Sequence, residues 1–264
     1  MKKEHVSFSE VHLYHQCKFR HYIEYTLGNR GGDTVHTVFG NAVHEAIDRV
    51  KKGQDKKIAW ITMGKTIAKF IKKNPVHTYV MDGEEKSQDL DYKEWVCQGF
   101  SIYSEVFDWI DNHFPNHTLI DSEMKLYEDT RIEGIKFKGF IDLIILDEDG
   151  IYHVIDFKTS NWGWNREKRS DTKKQYQISL YKNFFCSKEN IDPKKVKTHF
   201  LILKRNPPKN SSACELITVT SGPKKLLNAT EWMEKQAKGI RKGLRLKNRT
   251  SCKFCPWQHT KLCP

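Results

Sequence analysis

Apolar residues return every three to four positions through most of the first half of the chain; beyond residue 117 they alternate or form short unbroken runs. The first pattern predicts helices. Residues 7–25, SFSEVHLYHQCKFRHYIEY, have helical spacing, with Ser7 or Ser9 placed to cap the first turn. The glycines between Gly28 and Asp33 break it. A helix then starts near Phe39 and runs through AVHEAIDRVKKG, and another covers Lys57 to Lys73 until Asn74-Pro75 stops it. Residues 91–114 form a long amphipathic helix ended by Pro115.

The second pattern predicts strands. TLIDSEMKLYED, IKFKGFIDLIILDED and IYHVIDFKT follow one another from residue 118, and the turn at Asp147–Gly150 makes the last two a hairpin. A basic, polar loop from Ser160 to Lys174 leads into a helix over QYQISLYKNFF. Strands over VKTHFLILKR and CELITVT come next, and Ser221-Gly222-Pro223 opens a last helix reaching Gly239. The order predicts an α/β fold, with helices flanking a mixed sheet whose start is mostly antiparallel. Three regions are expected: a helical part over 1–116, a core over 117–247 and a cysteine-bearing tail over 248–264.

The composition narrows the class. A chain of 264 residues with 38% hydrophobic and 12% aromatic positions makes one large domain or a domain with appendages, and argues against disorder. Forty-five basic against 33 acidic residues give a formal charge of +12, a field that attracts polyanions such as nucleic acid; a basic protein without such a partner is the other reading. The opening MKKEHVSFSE has no apolar stretch after its lysines, and no run is long enough to span a bilayer, so a cytoplasmic protein with no membrane partner is expected. Seven cysteines in such a compartment do not suggest a disulfide framework.

Two aspartates stand out against this background. Asp142 lies in one apolar strand and Asp156 in the next, with Lys158 on the same face as Asp156. The hairpin lays Asp142 beside Asp156. Two close carboxylates raise each other's proton affinity unless a cation lies between them, and hard divalent ions such as Mg²⁺ or Mn²⁺ suit an oxygen-rich pair. A surface-facing Asp-x-Lys pair beside a turn is the plainer alternative.

Gly139-x-x-Asp142, then Asp156-Phe157-Lys158, then Gln177-x-x-x-Tyr181 on the following helix resembles the PD-(D/E)XK nuclease superfamily. The Gly40-x-x-x-His44 phrase and the Ser9-x-x-x-Leu13-x-x-x-Cys17 segment are similar to its RecB-like branch. The resemblance implies a restriction-endonuclease-like core. It implies a metal-dependent deoxyribonuclease, an exonuclease on single-stranded DNA or free ends in replication, recombination or repair. His44, Asp142 and Asp156, with the main-chain carbonyl of Phe157, would hold the metal. Lys158 would be the catalytic lysine. Gln177 and Tyr181 would line the DNA path, and Glu123 would be a further acidic catalytic residue. A non-cleaving or structure-specific nucleic-acid-binding protein of the same fold is the alternative. Trp162, Trp164 and Arg166, in the basic loop, have the chemistry to stack on bases and track phosphates; a loop packed on the last helix is the other reading.

Cys252-x-x-Cys255, with Cys263 following, is a metal-binding spacing. The resemblance to iron–sulfur members, including CRISPR-associated exonucleases, implies that Cys17 joins Cys252, Cys255 and Cys263 around a [4Fe-4S] cluster. A local Zn²⁺ knuckle of Cys252, Cys255, His259 and Cys263 is the alternative. Cys97, Cys186 and Cys214 are expected to be core residues.

Overall fold

The protein, seen in a computed structural model, is described over residues 4–81 and 84–264; the first three residues of the opening segment read for a leader lie outside these. A short strand β1 (His5–Ser7) precedes helix α1 (Phe8–Gln16), whose N-cap is Ser7, accepting from the Glu10 N–H. The stretch expected to be one helix is therefore a strand and a broken helix. Cys17 leaves helical geometry to cap α2 (Lys18–His21), with its Sγ accepting from the Arg20 N–H, and a π-helical turn (Tyr22–Thr26) follows.

Helices α3 (Val35–Lys51), α4 (Lys56–Lys73) and α5 (Tyr92–His113) follow the predicted periodicity. Between α4 and α5 the chain forms a two-stranded ribbon, β2 (Val76–Met81) and β3 (Glu84–Asp89), for which the sequence showed no alternating apolar pattern. Both its strands are largely solvent-facing, which explains the missing signal.

The main sheet contains β1, β4 (Thr118–Asp129), β5 (Lys136–Leu146), β6 (Tyr152–Ser160), β7 (Val196–Lys204) and β8 (Cys214–Thr218). β4 runs antiparallel along β5, β5 pairs antiparallel with β6, β6 parallel with β7, and β7 antiparallel with β8. The parallel β6–β7 pair needs a crossover, supplied by α7 (Thr172–Glu189). The loop before it contains a one-turn helix, α6 (Arg166–Ser170), which the sequence did not reveal. The last helix, α8 (Pro223–Arg241), begins with proline in its first turn. Among the described residues no helix is long and apolar enough to cross a membrane.

Two apolar layers hold the sheet. Phe137, Ile141, Val154, Phe200 and Ile202 pack against α7, α8 and α1 on one side. Leu143, Ile155, Phe157, Leu201 and Leu203 pack against α3, α4 and α5 on the other. The helical first part is thus a layer of the core, in contact with the sheet. Tyr14 of α1 sits against Gly239 of α8, where an added Cβ would lie 2.6 Å from the Tyr14 hydroxyl, so glycine permits that close approach.

Phe137 is fully buried and stacks on Phe184 of α7, with centroids 4.5 Å apart. Phe137→Ala is expected to cost about 3–5 kcal/mol through lost burial and the cavity left behind. In thermal unfolding this appears as a drop in Tm of roughly 6–20 °C.

Candidate metal centre and cysteine cavity

The site arises where the sheet comes apart. Along the same edge of β5, Lys136–Lys138 pair with β1 and Leu143–Leu146 pair with β6, leaving Gly139–Asp142 without a strand partner there. Beyond Ile155, β6 pairs with β7 alone. Continuing the β5–β6 register by one step would bring Asp142 opposite Asp156. The strands diverge at this step, and the Asp142 side chain fills the gap, its Oδ2 accepting the Phe157 N–H at 2.5 Å.

Helix α3 crosses this opening with three side-chain contacts four residues apart, so on one face of the helix. Gly40 lies over Thr159 of β6, where a Cβ would come 3.2 Å from the Thr159 hydroxyl. His44 places its Nδ1 3.6 Å from Asp142 Oδ1 and its ring edge-on to Phe157. Asp48 accepts a hydrogen bond from Ser122 of β4. The glycine of the Gly-x-x-x-His phrase is therefore a spacer that lets the helix approach the sheet closely enough for the imidazole to reach Asp142.

Glu123, next to Ser122, has φ 56° inside a strand, a left-handed conformation that costs a non-glycine residue of order 1–3 kcal/mol. This turns it toward Asp142. Ligand atoms of His44, Glu123 and Asp142 all lie within 4.8 Å of one another, the one such group of three found among the described residues. Glu123, expected as a further acidic catalytic residue, thus joins the group that could hold a metal ion. Asp156 lies outside that group and is engaged otherwise. Its Oδ2 is 2.6 Å from Lys158 Nζ, and its Oδ1 accepts from Gln177 Nε2 at 3.1 Å. Gln177 also reaches the Tyr181 hydroxyl at 3.1 Å. Tyr181 is itself accommodated by Gly139, whose added Cβ would stand 2.9 Å from its ring.

The electrostatics of the site are set by burial acting against charge pairing. Burial pushes Glu123 up to about 7; Asp142 adds to the effect and His44 opposes it. Burial likewise carries Asp156 up to about 6, against the pull of Lys158 and with a contribution from Asp142. Burial also acts upward on Asp142, but His44, Lys158 and the Phe157 N–H outweigh it, leaving Asp142 below its ordinary value. Burial lowers His44, while Asp142 more than compensates and raises it. Two oxygen donors and an imidazole in partly buried surroundings are a donor set that fits Mg²⁺ or Mn²⁺.

The loop after β6 divides its residues. Trp162 is 72% exposed, whereas Trp164 is buried against Phe200 and offers no free stacking face, a correction to the base-stacking expectation. Trp164 packs on a strand rather than on the last helix. Arg166 is exposed on α6. Arg169 and Lys174 are tied to Glu215 and Asp171.

The tail folds back on the chain's beginning. The Asn248 and Ser251 side chains both donate to the Gln16 carbonyl, and Trp257 Nε1 donates to Glu24. Cys17, Cys252, Cys255 and Cys263 line one cavity of about 130 Å³, together with His259. The Asn248 N–H approaches Cys17 Sγ at 3.5 Å. Of the three cysteines expected in the core, Cys186 and Cys214 are buried and Cys97 is exposed on α5, since it lies on the outward face of an amphipathic helix.

Metal binding at the triad must displace protons held by Glu123 and His44. Mn²⁺ affinity measured calorimetrically is therefore expected to rise several-fold between pH 6 and pH 8, with a shallower dependence in Glu123→Gln. A flat profile in the wild-type protein counts against the triad.

Comparison with known proteins places the chain through its sequence. The crystal structure of SSO0001 aligns over 95% of each chain, at 14% identity and a TM-score of 0.37, a likeness that carries no argument. No curated protein sequence matches the chain. The sequence model of the PD-(D/E)XK nuclease superfamily matches residues 5–264, nearly the whole length. A diverging strand pair with Asp142, Asp156 and Lys158 at its opening, within a match of that extent, makes this chain a member of the PD-(D/E)XK nuclease superfamily.

Proposed function

We propose that the protein is a metal-dependent deoxyribonuclease that hydrolyses phosphodiester bonds, acting as an exonuclease on single-stranded DNA or free DNA ends. The observation that carries this reading is the convergence of His44, Glu123 and Asp142 beside the Asp156–Lys158 pair. His44, Glu123 and Asp142 would hold Mg²⁺ or Mn²⁺, with Asp156 and the Phe157 carbonyl close enough in the chain to complete the site. A bound ion would polarise the phosphodiester and lower the pKa of a bound water.

The chain's own groups do the rest. Lys158 carries its ammonium into the opening, where it offsets charge on the phosphate and orients a water for attack. Asp156 holds that ammonium at 2.6 Å, and the Tyr181–Gln177–Asp156 chain fixes the carboxylate. Gln177 and Tyr181 act as positioning residues beside the strand. Exposed Trp162 and Arg166 offer a base-stacking surface and a phosphate contact. Elsewhere, Lys18, Lys173, Lys235 and Lys238 face a groove of about 1120 Å³ with Trp232, against only two carboxylates, Glu231 and Glu234 among its walls; this supports a polyanionic substrate.

For the tail, the proposal is a [4Fe-4S] cluster on Cys17, Cys252, Cys255 and Cys263. All four cysteines line one cavity. A cluster employs Cys17, which the local knuckle leaves idle. Such a cluster would close a loop spanning nearly the whole chain.

End-labelled single- and double-stranded DNA, labelled at each end in turn and incubated with Mn²⁺, tests activity, polarity and substrate form. Asp142→Ala and Lys158→Ala are expected to lower cleavage by about 10²–10⁴-fold while single-stranded DNA binding changes little. Undiminished hydrolysis by either variant sinks the assignment, and binding without any cleavage by the wild-type protein favours the non-cleaving alternative. Anaerobically purified protein is expected to be brown and to contain about four irons and four sulfides, lost in Cys17→Ala. A colourless protein with one zinc per chain establishes the knuckle instead.

A further inference from the structure

Strand β6 does not end its polar lining at Lys158. Thr159, Ser160 and Asn161 continue into a recess of about 280 Å³ that is also faced by Lys168 and Arg205, with His36 at its rim. His36 precedes His44 by eight residues on α3, so the recess lies about 12 Å along that helix from the metal triad.

The two cations are held in place without being neutralised. The Arg205 guanidinium lies over the Trp95 ring, 4.0 Å from its centroid, and donates from Nη1 to Gln98 Oε1 at 3.2 Å. Gln98 is fixed in turn by Glu94 and Asn206, and Asn206 donates to Asn161 at 2.7 Å. Lys168 leans over the Trp164 ring at 5.0 Å. Among the described residues neither Arg205 nor Lys168 has a carboxylate within ion-pairing distance, whereas their neighbours Arg169 and Lys174 do. Burial lowers both; for Lys168 the nearby Lys174 and Lys158 charges add to this, and for Arg205 the Glu94 charge, beyond ion-pairing distance, opposes it. Half-buried cations outside any ion pair, beside the Thr159 hydroxyl and the Asn161 amide, form a site whose chemistry suits an oxyanion.

We infer that this recess binds a phosphate group of the nucleic-acid strand about two linkages from the one at the metal triad, with Arg205 and Lys168 as its principal contacts. The inference rests on the nuclease reading above and adds the subsite that registers the strand. An internal phosphodiester and a terminal phosphate share the required chemistry.

The test measures binding of fluorescent single-stranded oligonucleotides ending in 5′-phosphate, 3′-phosphate or hydroxyl groups, in EDTA at several salt concentrations. Wild-type protein is compared with Lys168→Gln, Arg205→Gln and Arg205→Lys. Each Gln variant is expected to bind about tenfold or more weakly. The slope of log K against log salt should become shallower by about 0.7, one phosphate's worth for a single strand, which a purely structural defect does not produce. Arg205→Lys should restore most of the slope. Equal losses for all three oligonucleotides identify an internal phosphate. A wild-type preference for one phosphorylated end, abolished in the variants, identifies a terminal one. Thermal unfolding separates folding defects in Arg205→Gln, and Lys168→Gln, on a short surface helix, keeps the test independent of that outcome. Wild-type affinity and slope in both Gln variants overturn the subsite. If the wild-type protein binds and cuts DNA in that case, the nuclease reading survives; if it binds no DNA, both fall.

Discussion

The structure depends on a sheet that is interrupted on purpose. Strands prefer to satisfy every backbone donor and acceptor with a neighbour. Here β5 gives one edge first to β1 and then to β6, and the four residues between receive neither. The Phe157 N–H exposed by that divergence is satisfied by the Asp142 carboxylate. One side chain thereby seals the gap in the ladder and presents its remaining oxygen to His44 and Glu123. The two apolar layers hold the strands on either side, so the opening persists without collapsing into a regular ladder.

Around the opening, each element contributes through a local departure from regularity. α3 comes close because Gly40 has no side chain to meet Thr159. β4 offers Glu123 because its backbone turns left-handed there. α7 brings Gln177 and Tyr181 within reach because Gly139 leaves space for the Tyr181 ring. Asp156 and Lys158, on a regular strand, pair with each other and are oriented from α7. The division of labour is thus between a triad suited to a cation and a lysine held by its own aspartate.

Much of this was legible in the sequence. The periodicity change near residue 117, the Asp147–Gly150 hairpin and the long helices follow from side-chain patterns that reflect burial on one face. β1 was not legible, because three residues are too few to show alternation, and the β2–β3 ribbon has no buried face to imprint a pattern. Asp142, Asp156 and Lys158 could be singled out because charged residues in apolar strands are unusual, and His44 because its Gly-x-x-x-His phrase resembles that of the nuclease family. Glu123's place in the candidate metal group could not be read this way, since it depends on a backbone twist that leaves no mark in residue type. Trp164 misled because composition does not distinguish an aromatic side chain that supports a loop from one that faces solvent. Arg205 and Lys168 are 37 positions apart in sequence and meet only through the parallel β6–β7 pairing.

The four-residue rhythm of α3 has a consequence for how this chain can vary. Gly40, His44 and Asp48 each touch a different strand, β6, β5 and β4 in turn. A single inserted or deleted residue within that interval rotates everything beyond it by about 100° around the helix axis. Length polymorphism is therefore forbidden between these positions, while the exposed β2–β3 ribbon is free to lengthen, shorten or disappear.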